Sequence, residues 1–328
     1  MAGILVVGEV SGEALNPVTG ELLSAASKLG DAPISVALMG DSLAGASEAA
    51  LDHGVAKVLA IEHAALKNAG AGGYDAAVIA LTALVKQEAP DVVLFARTDL
   101  GYNVAPRVAF RLQVPVAQDC VDLKTDGGNL VVTRPVFGGN AMADYVFGER
   151  RPAIAIIRPK VFQARPHAGA RTGETVRPGI DIASDQIRAT LVETVKEARH
   201  GVRLETAEVV VSGGRGLGGA EPFKLLEELA GLLNGAVGAS RAACDAGWVD
   251  HSKQIGLTGK SIGPKVYIAV GISGASQHMA GCSGARAIVA INKDPAANIF
   301  KEARFGVVGD WQKVVPAFLA AVRELGRA

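Results

Sequence analysis

The chain has 328 residues, 49% of them hydrophobic and 20% charged, with 33 basic residues against 33 acidic ones. That length accommodates two domains, each with its own core, and the composition is that of a folded α/β chain rather than a disordered one. A formal charge of zero excludes the electrostatic footprint of a nucleic-acid or anionic-membrane binder, and three cysteines without C-x-x-C spacing, Cys120, Cys244 and Cys282, argue against an iron–sulfur cluster, a zinc site or a disulfide framework.

The first nine residues, Met-Ala-Gly-Ile-Leu-Val-Val-Gly-Glu, carry no basic segment and run directly into a strand, and no later apolar run reaches membrane-spanning length. A cytoplasmic, bacterial protein without direct membrane insertion is therefore expected. Apolar, β-branched runs at 4–8, 34–40, 57–61 and 92–97 alternate with helical periodicity, as at 17–29 and 75–88. This alternation predicts a doubly wound, mostly parallel sheet covered by helices. From 114 to 161 the pattern changes to short β-like runs broken by Gly and Pro, including 130–136, 143–147 and 154–158, which would make the far side of that sheet mixed.

Residues 163–181 hold prolines, glycines and arginines without periodicity and read as a surface connection, followed by a β-like run near 189–196. The domain boundary is expected around 201–205, giving domains of 1–203 and 204–328. The second domain restarts the alternation with a strand at 208–211, a helix at 222–233, strands at 236–238, 266–270 and 287–291, and a closing helix at 310–326. A second, Rossmann-like parallel sheet follows.

The most informative stretch is 265–295. A strand that stops at Gly271-Ile272-Ser273-Gly274 and opens into a helix leaves backbone N–H groups and a helix dipole aimed at one point, a site for an anion. Gln277 and His278 fall in the first turn of that helix. The next strand ends in Asn292-Lys293-Asp294-Pro295, and parallel neighbours would bring both carboxyl ends to one crevice. Gly214-Arg215-Gly216-Leu217-Gly218-Gly219 fits the dinucleotide pattern G-x-G-x-x-G, although the acidic residue expected on a following strand is missing; the plain alternative is a tight turn. Arg215 favours the anion site, because a cation among free amides attracts an anion. Ser240 and Arg241 also end a strand, where ligand contacts gather in open α/β sheets, with a surface ion pair between Arg241 and Asp245 as the plain alternative.

Gly256-Leu257-Thr258-Gly259-Lys260-Ser261 falls short of a phosphate loop because Gln254 stands where G-x-x-x-x-G-K-[ST] requires glycine, so an ATPase is rejected. His53, His63, His167, His200 and His251 lack metal-binding spacing and read as solvated or structural. No Ser–His–Asp or nucleophile-elbow pattern stands out.

The blocks VSGGRGL at 211–217, GASRAA at 238–243, QIGLTGK at 254–260, VYIAVGISGASQH at 266–278, AGCSGARAIVAINKDP at 280–295 and Gly309-Asp310 occur in an order that resembles the alpha subunit of the electron transfer flavoproteins. The likeness covers the C-terminal third closely and the N-terminal part more loosely. It implies an FAD held in the second domain by Gly214, Arg215, Gly216, Ser240, Arg241, Gln254, Gly256, Thr258, Gly259, Gly271, Ser273, Gly274, Ser276, Gln277, His278, Asn292, Lys293, Asp294 and Asp310. By the same resemblance Thr258 lies near the flavin N5, Arg241 lies against the isoalloxazine and favours negative charge on it, and His278 donates to the C2 carbonyl. Asn292 and Asp310 would serve the adenosine half, while Lys293 and Asp294 cap or pair locally.

The resemblance further implies a heterodimer with a beta subunit that carries AMP or a second FAD. Electrons would come from an acyl-CoA dehydrogenase or similar flavoenzyme and pass to a quinone oxidoreductase, with the first domain supplying subunit interface. An electron-bifurcating pair and a nucleotide-binding regulatory protein stand as alternatives. Leu257, where the family pattern has glutamine, and Ser276, where an aliphatic residue is common, depart from it.

Overall fold

The computed structural model describes residues 3–67, 69, 72–139, 141–164, 173–193 and 202–325. The chain forms two compact units, 1–137 with 141–196, and 138–140 with 197–328. The expected boundary at 201–205 falls partly outside the described residues, as does the end of the run expected at 189–196. The described part of that run, 189–193, is not a strand.

In chain order the first unit contains β1 (Ile4–Val7), a short hairpin of β2 (Val10–Ser11) and β3 (Ala14–Leu15), α1 (Pro17–Ser27), β4 (Ile34–Gly40), α2 (Ala44–Leu51), β5 (Lys57–Glu62), α3 (Tyr74–Glu88), β6 (Val92–Ala96) and α4 (Asp99–Leu112). There follow β7 (Val116–Cys120), β8 (Asp122–Asp126), β9 (Asn129–Val136), β10 (Ala141–Val146), β11 (Ala153–Ile157) and β12 (Glu174–Val176). Local chemistry sets the helix starts. Asn16 accepts from the Val18 N–H with Pro17 in the first turn of α1, and Thr98 accepts from the Gly101 N–H at the start of α4.

Seven strands pair in the order β12-β5-β4-β1-β6-β11-β7, every pair parallel. Successive side chains of β1 serve opposite faces, as a strand buried on both sides requires. Ile4 and Val6 join the core containing Leu22 and Ala46 of α1 and α2; Leu5 and Val7 join the core containing Leu81 and Val104 of α3 and α4. The expectation of a mixed sheet is corrected here. The antiparallel strands β8, β9 and β10 form a separate three-stranded sheet, while β7 and β11 enter the parallel one. The supposed surface connection also contributes β12 to the sheet edge, a three-residue strand too short to show a period.

The second unit runs β13 (Val209–Gly213), α5 (Phe223–Leu232), β14 (Ala236–Ser240), α6 (Arg241–Asp245), β15 (Gln254–Ile255), β16 (Val266–Val270), α7 (Ser276–Cys282), β17 (Ile288–Asn292), α8 (Ile299–Glu302), β18 (Phe305–Val308) and α9 (Trp311–Leu325). Its six strands are parallel in the order β15-β14-β13-β16-β17-β18. Val211, Ile268 and Val270 pack with Leu226 of α5 and Val315 of α9, while Val210, Tyr267 and Ala269 face Cys282 of α7 and Ile299 of α8. Chain direction across the sheet reverses between β13 and β16, the point where open α/β sheets bind ligands at their carboxyl ends. Among the described residues no helix is long and apolar enough to cross a membrane, and no cluster of His, Cys, Asp or Glu could hold a metal ion.

Candidate functional site

A cavity of about 760 Å³ opens at the carboxyl ends of β13, β14, β15, β16 and β17. Of the residues singled out in the sequence it gathers Arg215, Gly216, Ser240, Arg241, Gln254, Gly256, Thr258, Gly271, Ser273, Gln277, His278, Asn292 and Asp294. Gly214, Gly259, Gly274, Ser276, Lys293 and Asp310 are not among its lining residues. The wall also contains Asp245 and Leu257, read in the sequence only as an ion-pair partner and a departure from the family pattern, and Ile255 and Ile272, which were not singled out as site residues. Asp245 follows Arg241 by one helical turn, the spacing of such a pair.

Two glycines of the G-x-G-x-x-G stretch, Gly214 and Gly216, are packing residues. A Cβ on Gly214 would lie 2.2 Å from the Gly271 oxygen, and one on Gly216 would lie 2.8 Å from it, so the two strand ends touch backbone to backbone at the switch point. Their amides are also used within the protein. The Gly214 N–H donates to Val270 O at 2.8 Å and the Gly216 N–H to Gly271 O at 3.0 Å. The expectation that these amides are free for an anion is corrected; what the loop delivers to the cavity is Arg215, exposed and without a hydrogen-bond or ion-pair partner among the described residues. Across the cavity, the Ser240 hydroxyl oxygen is buried with no hydrogen-bond partner. No side chain caps α6 or α7. A buried orphaned hydroxyl, an unpaired guanidinium and two uncapped helix starts around one hollow form a set of donors awaiting a polar, anionic ligand.

Two family models match the chain, an electron transfer flavoprotein domain over residues 4–181 and an electron transfer flavoprotein FAD-binding domain over residues 203–283. The electron transfer flavoprotein subunit alpha of Thermoanaerobacterium thermosaccharolyticum is 41% identical over 309 residues, which are 93% of each chain. That of Bacillus subtilis is 40% identical over 98% of each chain. The chain belongs to the electron transfer flavoprotein alpha subunit family. A further relative, 34% identical over 93% of this chain and 91% of its own, is the acryloyl-CoA reductase electron transfer subunit beta of Anaerotignum propionicum.

Within this family member the remaining side chains divide between wall and scaffold. Arg241 forms the ion pair weighed as its plain alternative, Nε to Asp245 Oδ2 at 3.3 Å, with both side chains more than half exposed and both on the cavity wall. Such a surface pair is worth about 0–1 kcal/mol and does not tie the guanidinium down. His278 is 7% exposed, and both its ring nitrogens are engaged: Nδ1 lies 3.1 Å from Ile255 O and Nε2 lies 2.7 Å from Tyr267 Oη. Burial pushes its pKa down to about 4, so the ring is neutral; Nδ1–H donates to the carbonyl and Nε2 accepts from the tyrosine. Donation from His278 to a ligand carbonyl is therefore not available in this arrangement. The residue instead ties α7 to β15 and β16.

Asn292 donates to Ile272 O at 2.9 Å and accepts from the Asp294 N–H at 3.0 Å, and Asp294 accepts from the Ala296 N–H. Both shape the loop whose inner side they line. Asp310 is not among the lining residues, and its carboxylate accepts from the Gln312 N–H at the start of α9. Gly259 sits in a turn, its N–H on Gly256 O, and Gly274 abuts Ile299. The Ser276 hydroxyl lies 3.4 Å from Gln277 Oε1.

Proposed function

We propose that the second unit holds one FAD in the 760 Å³ cavity and that the chain carries electrons between flavoenzymes as one half of a heterodimer. The observation that carries this reading is the pairing of orphaned Ser240 Oγ with unpartnered Arg215 at the switch-point crevice. The volume lies in the range of cofactor sites, and the donors suit a diphosphate and a polar ring edge. Arg215, Ser240, Ser273 and the starts of α6 and α7 would hold the diphosphate. Arg241 and Thr258 would face the isoalloxazine, with Gln277, Asn292 and Asp294 along the remainder. When bound, the flavin supplies the redox chemistry.

The chain's own residues bind, orient and tune. Arg241 places positive charge at the mouth, which favours electron density there. Buried His278, neutral and fixed by Tyr267, keeps a proton-exchanging group out of the wall. Cys282, in the second unit's core, is buried and free, and burial raises its pKa to about 12, so this thiol stays protonated. The residues that line the cavity contain no convincing nucleophile–base pair, which agrees with transfer of electrons rather than of groups.

The first unit, 1–203 in this reading, supplies the interface to a beta subunit holding AMP or a second FAD. The acyl-CoA dehydrogenase class is the proposed donor and a quinone oxidoreductase the acceptor. The Anaerotignum propionicum relative, named as serving an acryloyl-CoA reductase, supports acyl-CoA chemistry at the donor or acceptor end. Co-purification with the genomic neighbour followed by flavin and AMP analysis tests this: one FAD and one AMP per pair is expected. Two FAD without AMP would replace the simple carrier by the bifurcating alternative, and no flavin at all would overturn the reading.

A further inference from the structure

A hydrogen-bonded line of three side chains leads from the surface into one wall of the cavity. His251 Nδ1 lies 3.1 Å from Gln254 Oε1, and Gln254 Nε2 lies 3.0 Å from Thr258 Oγ1. Gln254 is 6% exposed and shares the wall with Thr258; His251 stands outside, its side chain 65% exposed, with Nε2 3.9 Å from Asp245 Oδ1. A carboxamide is polar end to end. Turned with its oxygen to His251, it receives a proton from Nδ1, and its NH₂ donates to Thr258. The threonine oxygen is then used as an acceptor, and its own proton is left for a group inside the cavity. Turned the other way, the amide would take the threonine proton and leave the cavity only lone pairs.

From this geometry we infer that His251 and Gln254 are positioning residues that set the hydrogen-bond polarity of Thr258 toward the cofactor, an inference that rests on the flavin reading above. The polar edge of an oxidised isoalloxazine presents carbonyl oxygens and ring-nitrogen lone pairs, so the donating orientation is the one that binds it. A ring that carries a proton on Nδ1 enforces that orientation. Asp245 faces Nε2 and also pairs with Arg241. Of the neighbours on the same turn, Asp250 accepts from the Ser252 N–H, and Lys253 pairs with Glu227 of α5 at 3.1 Å. An exposed histidine is thus tied through a buried amide to a hydroxyl of the site. The sequence had placed His251 among the merely solvated or structural histidines.

FAD affinity of the full chain, titrated by absorbance, tests the relay in wild type, His251→Ala, His251→Asn, Gln254→Met, Thr258→Val and the His251→Ala/Thr258→Val double variant. His251→Ala should bind about fivefold more weakly than wild type, the worth of one hydrogen bond, and His251→Asn, whose amide N–H also donates, should restore it. Gln254→Met and Thr258→Val should lose as much, and removing His251 should change nothing further once Thr258 is valine. His251→Ala, at an exposed position, carries the test if Gln254→Met does not fold. The inference is overturned if His251→Ala binds FAD as tightly as wild type, or if it shifts affinity equally with threonine or valine at 258, which marks a direct Coulomb effect. Absence of FAD binding by the wild type would instead sink the flavin reading, and the relay with it.

Discussion

His278 makes the second unit acid-sensitive in a way that can be isolated. In the unfolded chain its imidazole titrates near 6.5, whereas burial between Tyr267 and Ile255 lowers its pKa to about 4 in the folded state. Below pH 6.5 the unfolded chain takes up a proton that the folded chain refuses, which costs about 1.4 kcal/mol per pH unit. Stability is thus whole above pH 6.5 and falls by about 3 kcal/mol on reaching pH 4, a large share of a typical domain's total. His278→Gln can donate to Ile255 O and accept from Tyr267 Oη without titrating. Both tryptophans, Trp248 and Trp311, lie in the second unit, so fluorescence-detected denaturation reports on that unit. Wild type should lose about 2–3 kcal/mol more than the variant between pH 7 and pH 4.5. Equal losses in the two proteins would refute the assignment of a neutral, doubly engaged imidazole.

Three further outcomes are expected. Gly271→Ala places a Cβ on a residue with φ of 64° and 2.9 Å from the Gly216 carbonyl carbon; it should destabilise the second unit by about 2–3 kcal/mol and reduce retained flavin, measured by denaturation and absorbance. Arg241→Ala should lower the potential for the first electron by roughly 40 mV, about 1 kcal/mol of lost charge interaction, in a potentiometric titration; an unchanged titration removes Arg241 from the tuning role. In the first unit burial raises the Glu9 pKa to about 7, against the hydrogen bond from Thr98 and with Asp99 adding repulsion. Its stabilising effect is whole below pH 4.5 and is lost as pH rises through 7. Amide exchange at Ile4–Val7 should therefore accelerate with pH beyond its intrinsic trend in wild type but not in Glu9→Gln.

The parallel cores were legible because strands buried on both faces must be continuous apolar runs. Ile34–Gly40 and Val266–Val270 coincide with their expected limits, and the alternation of strands with helices carried the class of both sheets. What stayed hidden was pairing. Nothing in the spacing of 130–147 distinguishes an extension of the first sheet from the separate antiparallel sheet of β8, β9 and β10, since both need the same short alternating runs. At the site, the residue types that end strands were readable, but their partners were not. Tyr267 and Ile255 reach His278 across 11 and 23 residues, and the contact of Gly214 and Gly216 with Gly271 uses backbone atoms that carry no sequence signature. Gly214 and Gly216 thus serve close strand packing, and their amides are committed within the protein.

The most direct test is the stoichiometry of FAD on the full chain, by equilibrium dialysis, in wild type and in Gln277→Trp, which fills the cavity from an exposed wall position. One FAD bound to the wild type within this chain, and none to Gln277→Trp with folding intact, is the predicted result. Retention of FAD by the filled variant, or no FAD on the wild type, would contradict a flavin site at the carboxyl ends of these strands.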